Sequence, residues 1–234
     1  MDLSLAGYLL NPSGSGYDPL RLMQEYGLPV PAGEDDNEKI IVGMDSLWQT
    51  LKGKLEENGQ MSLLTDIELP LCRVLAVMEQ EGFLVDADGI RAYGEQIQQA
   101  AEQAQQAIWD EVGYEFNVNS PKQLGEALFG KLGLPHGKKT KSGYSTNADV
   151  LEKLRYESTA VENVLQYRTY AKLKSTYCDG LLKVIGADGR IHSRFNQTET
   201  RTGRISSTEP NLQNIPVRTE LGRELRRFFT ARPG

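Results

Sequence analysis

The chain has 234 residues, 39% of them hydrophobic, enough for one large domain or two smaller ones with a core. It carries a net charge of -6, and no apolar run approaches the ~20 residues that span a bilayer, nor does a basic start lead into an apolar stretch; a membrane span is excluded and a cytoplasmic protein is expected. Cys72 and Cys178 lie far apart, with no Cys-x-x-Cys or Cys/His spacing, which excludes a zinc or redox motif and leaves ordinary reduced thiols.

The first sixty residues read as helical with a loop-rich interruption. "DLSLAGYLLNP" stops at Pro12, and "DPLRLMQEYG" has Asp18 as cap, Pro19 at the first helical position and Gly27 as stop. "LPVPAGEDDNEK" reads as a Pro-rich acidic loop, and "MDSLWQTLKGKLEENG" as a further helix. Past Ser62, Ile90, Tyr93, Ile97, Ala101, Ala104, Ile108 and Val112 recur at three- and four-residue steps and predict a long rod with one apolar stripe. Its nearest candidate partner is the helix Ile67 to Met78, joined to it by the turn "EQEGFLVDADG" as an antiparallel hairpin, with Pro70 kinking or restarting the first helix.

Ser120 and Pro121 open a shorter helix in "NVNSPKQLGEALF", ended by "LGLP". A basic loop follows and runs into a helix capped near Asn147; "TAVENVLQYRTYAKLKSTYCDGLLKVI" is a last long helix. The alternation Ile191, Ser193, Phe195, Gln197 predicts a strand, with Asp188-Gly189 as its hairpin turn. "RTELGRELRRFFTARPG" is either helix or frayed tail.

The average charge hides two opposite halves. Residues 1–119 hold 6 Lys/Arg against 21 Asp/Glu, a net of -15, and residues 120–234 hold 20 against 11, a net of +9. The basic half can attract a polyanion, while the acidic half serves solubility or faces another part of a larger protein. Arg168 and Lys172 are four apart on one helix face, with Ser175 and Thr176 continuing the edge; such a row can track phosphates or be a solvated face. His136, Lys138, Lys139, Lys141 and Tyr144 form a second basic cluster, where Ser142, Ser145 and Thr146 can donate to phosphate oxygens. In "TRTGRISSTEPNLQNIPVR", Arg204 follows a glycine turn and Asn211, Gln213 and Asn214 offer amides. Minor-groove edges display acceptors at every base pair, so these donors suit a grip on any duplex; the alternative is a rigid loop bracketed by Pro210 and Pro216 whose amides satisfy their own backbone.

"TGRISSTEPNLQNIPVR" closely resembles the segment leading from thumb to palm in family A DNA polymerases, and "YRTYAKLKSTY", "KKTKSGYSTNADVLEKL" and "NVNSPKQLGEALF" resemble thumb signatures of that family in the same order. The resemblance implies a mainly α fold: long antiparallel thumb helices with a small late β-ribbon, preceded by a partial helical remnant of an exonuclease-like domain. It implies a division into residues 1–61, the end of the 3'–5' exonuclease-like domain, and 62–234, the thumb with its exit ribbon. It implies primer–template DNA as partner, contacted by Arg204, Asn211, Gln213 and Asn214 near the primer terminus, by Arg168 and Lys172, and by the thumb tip Lys138, Lys139, Lys141, Ser142, Ser145 and Thr146. "DLSLAGYLLNP" resembles the second metal-ligand motif of the exonuclease domain, with Asp2 at a carboxylate position. The earlier Asp-x-Glu strand is absent, and Asp36 and Ile40 stand at the Tyr and Asp of the later motif, so no exonuclease activity is expected. The palm carboxylates that hold Mg²⁺ in the parent polymerase are absent too, so these residues are expected to bind DNA without a metal, a cofactor or catalysis, alongside the palm and fingers of the parent. Rival readings are a residual 3'–5' nuclease and a helical protein-interaction scaffold.

Overall fold

A computed structural model describes residues 1–136, 143–217 and 219–231. In chain order the elements are α1 (Leu3–Leu10), α2 (Pro19–Glu25), α3 (Asp36–Glu57), α4 (Leu69–Glu81), β1 (Phe83–Val85), α5 (Ala87–Val112), α6 (Pro121–Gly125), α7 (Ala148–Lys153), α8 (Thr159–Lys172), α9 (Asp179–Leu182), β2 (Arg190–Ile191), β3 (Arg194–Asn196), β4 (Ser206–Thr208), α10 (Glu220–Arg226) and β5 (Phe229–Thr230). The fold is mainly α with a few short strands, as the sequence predicts. No helix among the described residues is long and apolar enough to cross a membrane.

The chain divides into two compact units. One holds residues 1–83 and 191–214, the other 84–190 and 215–234. These units are defined by packing, whereas the division at residue 61 rests on resemblance.

In the first unit, Leu47, Leu51 and Leu55 repeat every four residues along α3 and meet Leu5 and Ala6 of α1 and Leu22 and Met23 of α2. Gly43 makes the approach possible, because a Cβ there would stand 2.3 Å from Met23 Cε. The acidic segment before α3 is shorter than the sequence suggests. Asp35 caps the helix, accepting from the Glu38 N–H at 2.8 Å, and Asp36 and Glu38 fall in its first turn. Carboxylates that composition assigns to a loop are here favoured by the positive end of a helix.

In the second unit every residue of the predicted stripe on α5 is buried. The partner is α8, however, and not the segment Ile67 to Met78. Small side chains allow close contact: Ala101 and Ala104 of α5 share a core with Ala160, Val161 and Val164 of α8, completed by Leu124, Leu128 and Leu151. Gly94 lies under Cys178, where an added Cβ would meet the cysteine Cβ at 3.3 Å. The turn expected before α5 contains β1, which pairs antiparallel with β5, Leu84 opposite Thr230 and Val85 opposite Phe229. The C-terminal segment is therefore helix then strand, and the Phe228 ring packs at 5.7 Å from Tyr93.

Among the described residues, Leu63–Glu68, Glu126–Lys131 and Leu173–Cys178 are π-helical. Each closes with an N–H that reaches back five residues, as Leu69 does to Leu64. Pro70, which lacks a donor, sits just after the first of them, so the helix widens before the proline rather than kinking at it.

The ribbon also differs from expectation. Asp188-Gly189 precedes it rather than closing it: β3 pairs with β4, with Arg194 opposite Thr208, Phe195 opposite Ser207 and Asn196 opposite Ser206. The strand "SST" is too polar and short for alternation to reveal it.

Candidate nucleic-acid interface

In the helical unit the guanidinium of Arg168 turns inward. It donates to the Thr146 carbonyl, and at 3.2 Å to the Thr146 hydroxyl. Thr146 is buried, and burial lowers the pKa of Arg168 from its ordinary value. The arginine thus fastens the end of the basic loop to α8. Phe129 holds both sides of the same loop, its ring 6.1 Å from His136 and 5.2 Å from Tyr144, with His136 and Tyr144 themselves 4.7 Å apart. Lys138, Lys139, Lys141 and Ser142 lie outside the described residues. Ser145, half-buried, follows directly from that neck.

Lys172 is exposed and makes no ion pair with a described residue. Together with Arg168 and Arg155 it lines an open cleft of about 490 Å³ beside α7, α8 and α10. Glu152 is the carboxylate there, 3.3 Å from Arg155, so cations predominate. Arg155 is absent from the sequence-based set because it follows α7 and shares no period with α8. Ser175 does not extend the row as a free donor: its hydroxyl donates to the Ala171 carbonyl at 2.8 Å, and the π-helical stretch shifts the spacing after Lys172.

In the other unit, the ribbon positions Arg204, Asn211, Gln213 and Asn214. Its root is a buried hydroxyl pair, Ser193 Oγ and Ser207 Oγ at 2.7 Å. Ser193 Oγ also lies 2.8 Å from the Pro210 carbonyl, and Ser207 Oγ accepts from the Leu212 N–H at 3.2 Å. Glu79 on α4 accepts from the Phe195 N–H at 2.6 Å, and Gln197 donates to the Glu68 carboxylate at 2.8 Å.

Beyond β3 the chain runs out to a tip at Gly203, whose φ of +75° suits glycine, and Thr200 Oγ1 donates to the Arg204 carbonyl at 2.6 Å. The Arg204 side chain is exposed and its guanidinium has no partner among the described residues. Gln213 is committed locally, donating to the Ile205 carbonyl at 2.8 Å, and Asn211 Oδ1 accepts from the Gln213 N–H at 3.0 Å. The side-chain oxygen of Asn211 and nitrogen of Gln213 thus shape the loop, which leaves the Asn211 amide nitrogen and Arg204 as outward donors. Asn214 ends the short 3₁₀ turn Leu212–Asn214 and is exposed.

Asp2 caps α1, accepting from the Leu5 N–H at 2.9 Å. No group of three or more His, Cys, Asp and Glu side chains that could hold a metal ion occurs among the described residues.

The sequence profile described as DNA polymerase family A matches residues 87–234. The chain is 42% identical to DNA polymerase I of Bacillus subtilis, over 97% of this chain and 28% of that protein. It is 52% identical to DNA polymerase I of Streptococcus pneumoniae serotype 4, over 86% of this chain and 23% of that protein. Among solved structures, the polymerase domain of Pol1 from M. smegmatis, in complex with DNA primer-template and dNTP, matches with a TM-score of 0.82 and 39% identity, covering 97% of this chain and 40% of that one. The chain thus spans about a quarter of the length of these curated relatives.

Proposed function

The chain belongs to DNA polymerase family A, and from that premise we propose that it is the primer–template-gripping part of a DNA-directed DNA polymerase of the polymerase I type, acting in replication and repair. One observation carries the reading: nearly the whole chain shares its fold with a polymerase domain described in complex with primer-template DNA, and the exposed cation Arg204 stands without a protein partner among the described residues. Lys172 and the cleft cations add phosphate contacts, and Arg168 acts by fixing the loop that carries Lys138 to Ser142. The grip is blind to sequence, since phosphates and minor-groove acceptors recur at every base pair.

Nucleotidyl transfer belongs to the whole enzyme, where Mg²⁺ would supply the positive charge that neutralises the transferring phosphate. These 234 residues bind without catalysis, and Asp2 serves α1 rather than a nuclease. Residues 1–61 are the end of an exonuclease-like domain and 62–234 the thumb. The remainder of the polymerase, palm and fingers, is the second partner. Ile67, Val74 and Val77, each more than half exposed, form an apolar row at and before α4 that suits such a protein neighbour.

The test is fluorescence anisotropy with a primer–template duplex as salt rises. Affinity is expected to fall steeply and linearly on logarithmic axes, and Lys172→Ala to weaken every duplex sequence alike while lowering the slope by about one. Absence of binding at low salt, or a loss confined to one sequence, overturns the reading. Degradation of single-stranded DNA that disappears in Asp2→Ala would restore the nuclease alternative.

A further inference from the structure

Resting on the duplex-gripping role of Arg204, we propose that Tyr8 is a positioning residue for that arginine, so that α1 acts as the footing of the ribbon tip. The Tyr8 hydroxyl donates to the Thr200 carbonyl at 2.7 Å, and the Thr200 hydroxyl donates to the Arg204 carbonyl at 2.6 Å. Two consecutive hydrogen bonds therefore join a helix to the backbone of the exposed cation.

Tyr8 itself is rigidly held. Only 3% of it is exposed, and its ring meets Tyr17 edge-on with centroids 5.6 Å apart. Tyr17 is fixed in turn, its hydroxyl donating to the Asn11 carbonyl at 2.8 Å and its carbonyl accepting from the Ser4 hydroxyl at 3.0 Å. By contrast, the segment between β3 and β4 has glycine at its tip and no apolar residue buried within it. Without the tether, Arg204 would sample many positions and lose affinity when fixed on DNA. The ring explains why the tyrosine is buried; the tip explains where its hydroxyl goes.

The experiment compares Tyr8→Phe, Arg204→Ala and the double substitution in the full 234-residue chain, by duplex affinity and by hydrogen exchange of residues 198–205 without DNA. Tyr8→Phe keeps the ring and is expected to weaken binding about threefold to tenfold, the range for one lost hydrogen bond, and to speed exchange at the tip. The double substitution is expected to bind no more weakly than Arg204→Ala, whereas Tyr8→Phe with Lys172→Ala should be additive; a general loss of stability would not produce that contrast. Thr200→Val, which removes the second bond on a half-exposed residue, should show the same coupling and serves if Tyr8→Phe folds poorly. Unchanged affinity in Tyr8→Phe and Thr200→Val while Arg204→Ala weakens binding refutes the brace and leaves the duplex reading standing. An Arg204→Ala protein that binds normally refutes both.

Discussion

Where α5 meets α8, the buried contact is made by Ala101, Ala104, Ile108, Val161 and Val164, and the polar contacts, the Ser158 and Thr159 hydroxyls donating to the Glu111 carboxylate, lie at its exposed end. Where β3 meets β4, the buried groups are Ser193 and Ser207, and the order comes from hydroxyls, carbonyls and the carboxylates of Glu68 and Glu79. The two regions differ in the kind of free energy that holds them. Apolar burial is non-directional and tolerates small shifts; a hydrogen-bonded root fixes direction, which a loop presenting one arginine needs. The cations follow the same division: Arg168 is spent on holding a loop, and Arg204 is left outward.

The strongest way to break this contrast is a cavity in the helical unit. Ile108→Ala, at a fully buried position, is expected to cost about 2 to 5 kcal/mol in urea unfolding and to release protection across α5 and α8 together. A loss under about 1 kcal/mol would mean that the helices are not held by burial.

Alkaline pH sharpens the contrast, because it acts on buried acids of the helical unit and on none of the ribbon hydroxyls. Burial raises the Cys178 thiol from 9.0 to about 11, against a smaller opposing pull from Lys174 and with Asp179 adding to the rise. Burial likewise raises Tyr93 to about 12, with Cys178, Glu224 and Tyr170 adding to it. A raised acid pKa means the folded state keeps its proton longer than the unfolded chain does, so this stability is complete below the unfolded pKa and lost as pH rises toward the folded one. For Cys178 the window runs from about pH 9 to 11, and its contribution is about 2 to 3 kcal/mol. Thermal melts across that window should fall more steeply in the native chain than in Cys178→Ala. Equal slopes would remove the thiol from the account.

The smallest effect is expected in the ribbon. Ser207→Ala leaves the Leu212 N–H without its acceptor and Ser193 without its neighbour, at about 1 to 3 kcal/mol, with faster hydrogen exchange confined to residues 191–214. Exchange that spreads into α5 would mean the two regions share one source of order.

The same difference decides what the sequence makes legible. The stripe on α5 is read directly, because burial on one helix face imposes a period, and the caps Asp18, Ser120 and Asn147 are read because each is a local rule. Pairing is not local. The α8 partner of α5, the β1 strand paired with β5, and the β4 strand facing β3 all depend on distant residues. In the candidate site, the residue types at 168, 172 and 204 mark cationic positions, yet the separate uses of Arg168 and Arg204 come from Thr146 and Thr200. Tyr8 has no signal at all, since 192 residues separate it from Thr200.

The π-helical stretch Leu173–Cys178 ties length to angular phase. Each such stretch holds one residue more than an ordinary helical turn would, so it is a place where a helix can shorten by one and still be a helix. The extra residue is absorbed locally: removing one there would return an ordinary turn and leave Cys178 and Leu181 facing the core, whereas the same deletion in a regular α-helical stretch would rotate everything downstream by about 100°. The cationic face and the buried end of this helix are therefore separated by a stretch that can lose one residue without re-aiming either.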